Sequence, residues 1–371
     1  MLDVDAILLP YYDRLVADAG GLALFDAHTH VGANDPDGFR QTPAQLLESL
    51  GRADARAVVF PMHEPGGYPP ANDEVIRVAR ASEGRLVAFC RVDPRSDPAA
   101  EVRRCLAAGA RGVKLHPRAE RFDMFSPGVR EIVAAADEAT APVLIHAGRG
   151  IPALGEQVVA LAHEFPRARF ILAHAGVSDL AWIWQRAAEH PNVFFDTAWY
   201  SSADLRALFA LVPPAQVLYA TDVPFGAPAQ GMIITFRAAL QAGLTGEQIA
   251  VVAGGQLERL VAGDELIDTG PPRGGEALRS DPLLDRVNYY LVAAFGSVLA
   301  GGSSAELADL ARLACDVGKH APQAPICRSI VALLDLEAEL PSGETLADRL
   351  PRIHLIVVAA MLAATPDVPV E

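Results

Sequence analysis

Eight short apolar runs rich in β-branched residues recur between residues 22 and 222, and their spacing constrains the fold more than any other feature. They end near His28, Phe60, Arg91, Lys114, His146, His174, Asp196 and Asp222. The segments between them are roughly 20–30 residues long, and most carry helical periodicity: 43–53, 73–83, 98–108, 129–139, 155–164 and 204–211. Strand and helix alternating in this way predict a parallel sheet, and eight units predict a closed (β/α)8 barrel of about 250 residues. Continuous apolar runs such as Ala57-Val58-Val59-Phe60 suit strands buried on both faces. Gly254 to Leu260 reads as the last barrel helix, and residues 268–275, rich in Gly and Pro, read as a linker. Four further helices are expected at 285–299, 304–317, 326–340 and 351–364. The expected organisation is therefore a barrel over 1–265 and an all-α region over 266–371.

In such barrels the chemistry sits at the C-terminal ends of the strands. That is where the polar residues of the apolar runs fall. In Phe25-Asp26-Ala27-His28-Thr29-His30, the two histidines lie at i and i+2 on one strand face, with Cα atoms about 6.6 Å apart. Imidazoles leaning from that distance can converge on one cation. Lys114 and His116, His146, His174 and Asp222 follow at later strand ends. A single inward histidine is more often a hydrogen-bonded core residue than a ligand. Four histidines, a lysine and an aspartate converging on one rim instead point to a metal site, because buried polar groups are costly unless paired or metal-bound. Mixed imidazole and carboxylate donors suit zinc. By contrast, His163 and His190 fall near helix ends close to prolines, where dipole or capping roles are expected.

The motifs, taken in order, resemble the amidohydrolase superfamily, closest to its amidohydrolase-related branch of decarboxylases and lactone hydrolases. They are HxH at His28 and His30, GVKLHP at 112–117, HAG at His146 and again at His174, TDVPFG at 221–226 and GGQLERL at 254–260. The resemblance implies that His28, His30, His146 and Asp222 hold a divalent metal. It implies that His174 either binds a second metal or hydrogen-bonds the metal-bound water. Lys114 matches a lysine that is carbamylated and bridges two metals in binuclear members. Read from its residue type alone, Lys114 has two open roles: a neutral amine able to react with carbon dioxide, or a cation that binds a substrate carboxylate. One ion or two is equally open.

For the substrate, Arg91, Arg118 and Arg149 fall within about three residues of strand ends, where arginine suits bidentate binding of carboxylate, though solvent salt bridges in loops would also place them there. With His116 they form the expected substrate-binding set, for a small anionic molecule. His63 is a further polar residue at the rim, and Trp199 with Tyr200 offer an apolar wall. The net charge of −15 lacks the footprint of a nucleic-acid or anionic-membrane partner. The apolar stretch 353–364 is too short to span a bilayer. Acidic residues near the N-terminus and four scattered cysteines fit a cytoplasmic protein with reduced thiols. The helical tail is expected to pack on the barrel exterior or on a second subunit of a homo-oligomer without supplying a ligand, the alternative being a cap over the rim that shapes the substrate pocket. Three functions follow: a metal-dependent hydrolase of a carboxylate-bearing ester, lactone or amide; a non-oxidative decarboxylase of an unsaturated or aromatic acid; or a metal-binding barrel without catalysis.

Overall fold

The computed structural model describes residues 3–16, 21–148, 150–178 and 180–370. Eight parallel strands form one sheet in sequential order: β1 (Phe25–Val31), β2 (Arg56–Pro61), β3 (Leu86–Arg91), β4 (Gly112–Leu115), β5 (Pro142–Ile145), β6 (Arg169–Leu172), β7 (Val193–Asp196) and β8 (Val217–Leu218). Closure comes from the chain just beyond β8. Ala27 N donates to Tyr219 O, Asp222 N to His28 O and His30 N to Val223 O, each at 2.9 Å. The architecture is thus the expected (β/α)8 barrel. The expected strand ends shift in detail: β1 runs on through both histidines to Val31, whereas His146, His174 and Asp222 lie just past β5, β6 and β8.

Strand parity divides the core. Phe25, Val58, Phe60, Phe89, Ile171 and Phe194 fill the barrel interior, joined by Leu257 and Leu260 of the Gln256–Ala262 helix. That helix plugs the N-terminal end of the barrel. Its approach requires Gly254, since a Cβ there would lie 2.8 Å from Ala23 O. Arg169 holds it by donating to Arg259 O and Leu260 O at 2.8 and 3.0 Å.

The four helices expected after the linker span Pro282–Leu299, Ala305–Ala314, Ala324–Glu339 and Leu346–Ala364. The last begins earlier than Pro351 suggested. Thr345 and Asp348 form a reciprocal cap that starts the helix upstream and leaves the proline inside it. An N-terminal helix, Val4–Val16, had no counterpart in the sequence reading. Both Val4–Val16 and Leu346–Ala364 pack on Pro228–Gln241, the helix after β8. No helix of the described residues is long and apolar enough to cross a membrane.

The junction depends on one buried cation. Arg237, 3% exposed, donates to Thr365 Oγ1 (2.9 Å), Thr365 O (3.1 Å), Val368 O (2.8 Å) and Pro369 O (2.9 Å), capping the end of the Leu346–Ala364 helix. Burial pulls the Arg237 pKa down to about 9. Arg237→Met should cost about 2–4 kcal/mol, because it removes the donor shared by Thr365 O, Val368 O and Pro369 O, of which the buried Val368 carbonyl keeps no other among the described residues. Urea unfolding measures this, and a loss under about 0.5 kcal/mol would show that those carbonyls do not need the guanidinium.

Candidate metal centre and cavity

His28, His30 and Asp222 meet at the barrel mouth. His28 Nε2 lies 3.1 Å from His30 Nε2 and 3.1 Å from Asp222 Oδ1, and His30 Nε2 lies 2.9 Å from the same oxygen. Donors around a tetrahedral zinc with Zn–N bonds of about 2.0–2.1 Å stand about 3.3 Å apart, so the triangle has nearly the dimensions of one tetrahedral face. The strand geometry explains it. Alternation points both histidines inward, and the closing hydrogen bond from Asp222 N to His28 O sets the aspartate between them.

The surroundings prepare the donors. His28 Nδ1 lies 2.7 Å from Asp196 Oδ2, which fixes the proton on Nδ1 and leaves the Nε2 lone pair facing Asp222 and His30. Burial, with the Lys114 charge next, pushes the His28 pKa well below its usual value; burial does the same for His30, His116 and His146. These imidazoles are therefore neutral and able to ligate. Burial also pushes the Asp222 carboxyl well above the carboxylate range, opposed by Lys114. Buried ring nitrogens without a hydrogen-bond partner include His30 Nδ1 and His146 Nε2. A compact set of neutral imidazoles and one carboxylate, with orphaned nitrogens beside it, fits a divalent cation.

The other expected residues take different places. His174 stands behind the triangle, its Nδ1 on Ala198 O at 2.8 Å and 4.0 Å from Asp222 Oδ2. His146 meets the cluster through His174, with His146 Nδ1 2.9 Å from His174 Nε2. His116 stacks on His146 with ring centroids 3.9 Å apart, and its Nδ1 accepts from Ala119 N. Gly148 permits this packing, since a Cβ would come within 2.7 Å of His146 Nε2. Lys114 is fully buried, with Nζ 3.3 Å from His28 Nε2 and 4.7 Å from the Phe60 ring centre. Desolvation lowers the Lys114 pKa to about 7 against the pull of Asp222.

A cavity of about 480 Å³ opens above these groups. Arg91 reaches it but is held by Glu120 at 2.7 Å, and Tyr68 Oη donates to the same carboxylate oxygen at 2.5 Å. Arg118, on the short Pro117–Glu120 helix, lines the cavity with no ion pair to a described residue. Arg121 does the same and was missed in the sequence, because it follows a helix whose existence four residues could not signal. Arg149 lies outside the described residues. His63 sits at the rim, 3.9 Å from Glu120. Asp196 and Asp26 were also missed as site residues. Asp196 ends one of the apolar runs, which was the available signal. Asp26 is buried, accepts from His28 N at 2.9 Å and Thr221 N at 3.1 Å, and has its pKa raised by burial to about 7.

A family profile described as Amidohydrolase matches residues 25–245, more than half of the chain. The chain belongs to this amidohydrolase family. No curated protein sequence matches it. Among solved structures, it resembles an amidohydrolase II at 19% identity, covering 65% of this chain and 100% of that one, with a TM-score of 0.52. The 5-carboxyvanillate decarboxylase of Sphingomonas paucimobilis matches at 17% identity, 65% and 99% coverage and a TM-score of 0.50. The 4-oxalomesaconate hydratase of Rhodopseudomonas palustris matches at 18% identity, 65% and 96% coverage and a TM-score of 0.51. At these identities the likeness is one of fold.

In this amidohydrolase-family chain, Asp196→Asn should weaken divalent-ion binding by about 10–100-fold, the usual cost of removing the carboxylate behind a histidine ligand. Equilibrium dialysis against a buffered metal checks it, and wild-type affinity in the variant would show that His28 is oriented without Asp196.

Proposed function

We propose that this protein is a metal-dependent hydrolase of a small carboxylate-bearing ester, lactone or amide, with zinc held by His28, His30 and Asp222. One observation carries the reading: Asp222 divides its oxygens. Oδ1 faces both imidazole Nε2 atoms, whereas Oδ2 turns toward His174 at the cavity. A divalent ion in this set would lower the pKa of water toward 7 and polarise a carbonyl. Asp222 Oδ2 is then the base that takes the proton of the attacking water and passes it to the leaving group. His174, fixed by the Ala198 carbonyl through Nδ1, would orient that water through Nε2 in exchange for its contact with His146. Lys114, close to neutrality, stabilises charge that develops on the substrate oxygen, or once carbamylated would complete a second ion site. Arg118 and Arg121 present guanidinium groups to a substrate carboxylate at the outer cavity, and His116 lies below them.

Decarboxylation is the second reading. It is favoured because one three-donor set is found among the described residues, which suits single-ion chemistry. The decarboxylases of 5-carboxyvanillate and of 2,6-dihydroxybenzoate also share the fold. A panel of carboxylate-bearing lactones, esters, amides and aromatic acids, assayed in parallel for acid release and for carbon dioxide release, separates the two. The hydrolase reading expects acid release without carbon dioxide and about one zinc per chain on elemental analysis. Carbon dioxide release from an aromatic acid would replace it with the lyase.

Asp222→Asn should lower turnover by about 10²–10⁴-fold with the circular-dichroism spectrum unchanged, because it removes a charged donor and the proton carrier together. A folded variant with wild-type kcat would remove Asp222 from the mechanism.

A further inference from the structure

The sequence reading puts Tyr200 on an apolar wall of the substrate cavity. The structure takes it elsewhere: the cavity above the metal donors is lined without it, although Phe225 belongs to that lining. Tyr200 stands four residues beyond β7 and is half-buried. Its hydroxyl donates to the Phe225 carbonyl at 2.5 Å. Its ring packs against Phe295 of the Pro282–Leu299 helix, with centroids 5.8 Å apart and planes inclined by 38°. Burial, with the Asp222 charge next, holds the phenol proton well above its usual pKa, so the group remains a donor.

Phe225 belongs to the metal centre's own turn. Its amide donates to Asp222 O at 2.7 Å, and Gly226 N donates to the same oxygen at 3.1 Å. Its ring lies edge-on to His30, centroids 5.3 Å apart, and packs on Phe39 at 4.5 Å. One residue thus touches the backbone of one metal donor and the ring of another. Asp222 itself keeps a φ of 61°, a left-handed conformation that a non-glycine residue holds only when its surroundings over-determine it. The two amide bonds to Asp222 O wind the turn from within. The Tyr200 hydroxyl adds a hold from the loop after β7, and Phe295 braces the ring that carries it.

We propose that Tyr200 is a positioning residue for the metal centre: its hydroxyl on the Phe225 carbonyl fixes the turn that carries Asp222 and keeps the Phe225 ring against His30. Through Phe295 the helical region takes part in the site without lending it a ligand. This rests on the reading of His28, His30 and Asp222 as the metal donors.

The test is zinc affinity of the full chain, measured by competition with a chromophoric chelator, together with urea unfolding of the metal-free protein. Tyr200→Phe removes the hydroxyl and leaves the ring on Phe295. Phe295→Leu leaves the hydroxyl and removes the ring that braces it. The expected result is about tenfold weaker zinc binding in Tyr200→Phe and a smaller loss, about threefold, in Phe295→Leu. The double variant should bind no more weakly than Tyr200→Phe alone, because Phe295 acts through the hydroxyl. The visible spectrum of the cobalt-loaded chain, which reports donor geometry, should also change in Tyr200→Phe. A purely structural role for Tyr200 predicts lower unfolding stability with wild-type zinc affinity and an unchanged cobalt spectrum, and that result overturns the proposal. Wild-type affinity in Phe295→Leu overturns it even where Tyr200→Phe fails to fold. A wild-type chain that binds no zinc overturns the donor set as well, which sets that failure apart from one confined to Tyr200.

Discussion

The seam between β1 and the chain beyond β8 is the constraint on which the rest depends. β8 is only two residues long, so the barrel is closed chiefly by the turn that follows it. Three backbone hydrogen bonds join Tyr219, Asp222 and Val223 to β1. Asp26 adds its own, gripping Thr221 through both the amide and the hydroxyl. The same bonds that close the barrel therefore carry Asp222 between His28 and His30. A cation bound there would tie both edges of the seam, and by mass action it would stabilise the closed barrel over any opened form.

Strain gathers around this seam. His174, Ala175 and Asp222 have φ values of 55°, 57° and 61°, each a conformation costing about 1–3 kcal/mol for a residue with a Cβ. Asp196 offsets part of that cost. Its Oδ1 accepts from His174 N at 2.8 Å and Ala198 N at 3.1 Å, while its Oδ2 meets His28 Nδ1. One fully buried carboxylate thus fixes a strained turn on one side and a histidine tautomer on the other. Burial raises its pKa, and those donors with the neighbouring His174 and Lys114 oppose the rise only in part.

The parts of this arrangement that the sequence made legible are those governed by period. Inward strand positions repeat every two residues, so His28 and His30 could be paired before any coordinates. Apolar runs and helical stripes marked the order of the barrel. What stayed hidden depends on contacts between distant segments. Nothing local tells that His146 reaches the cluster through His174, that Glu120 captures Arg91, or that Asp26 grips Thr221. Asp196 was visible as a strand-end acid, but its role follows only from barrel closure, which brings β7 to within one short strand of β1. Pro351 misplaced a helix start because a capping pair six and three residues upstream outweighed one missing amide.

The Pro228–Gln241 helix shows why the barrel and the helical region are hard to treat separately. An outer barrel helix normally keeps a polar stripe toward solvent. This one buries Met232, Ile233, Ile234, Phe236 and Ala238, along with Gln230, Thr235 and Arg237. It is enclosed because Val4–Val16 and Leu346–Ala364 cover the face turned away from the strands. The apolar layer outside the strands runs without a break from Val59 and Val113 to Leu355 and Val358. A barrel ending at the linker would expose that helix and strand the Arg237 charge against open space. The sequence signal for a boundary, Gly and Pro over 268–275, marks where the chain turns, whereas the packing that follows makes the two parts share one hydrophobic layer.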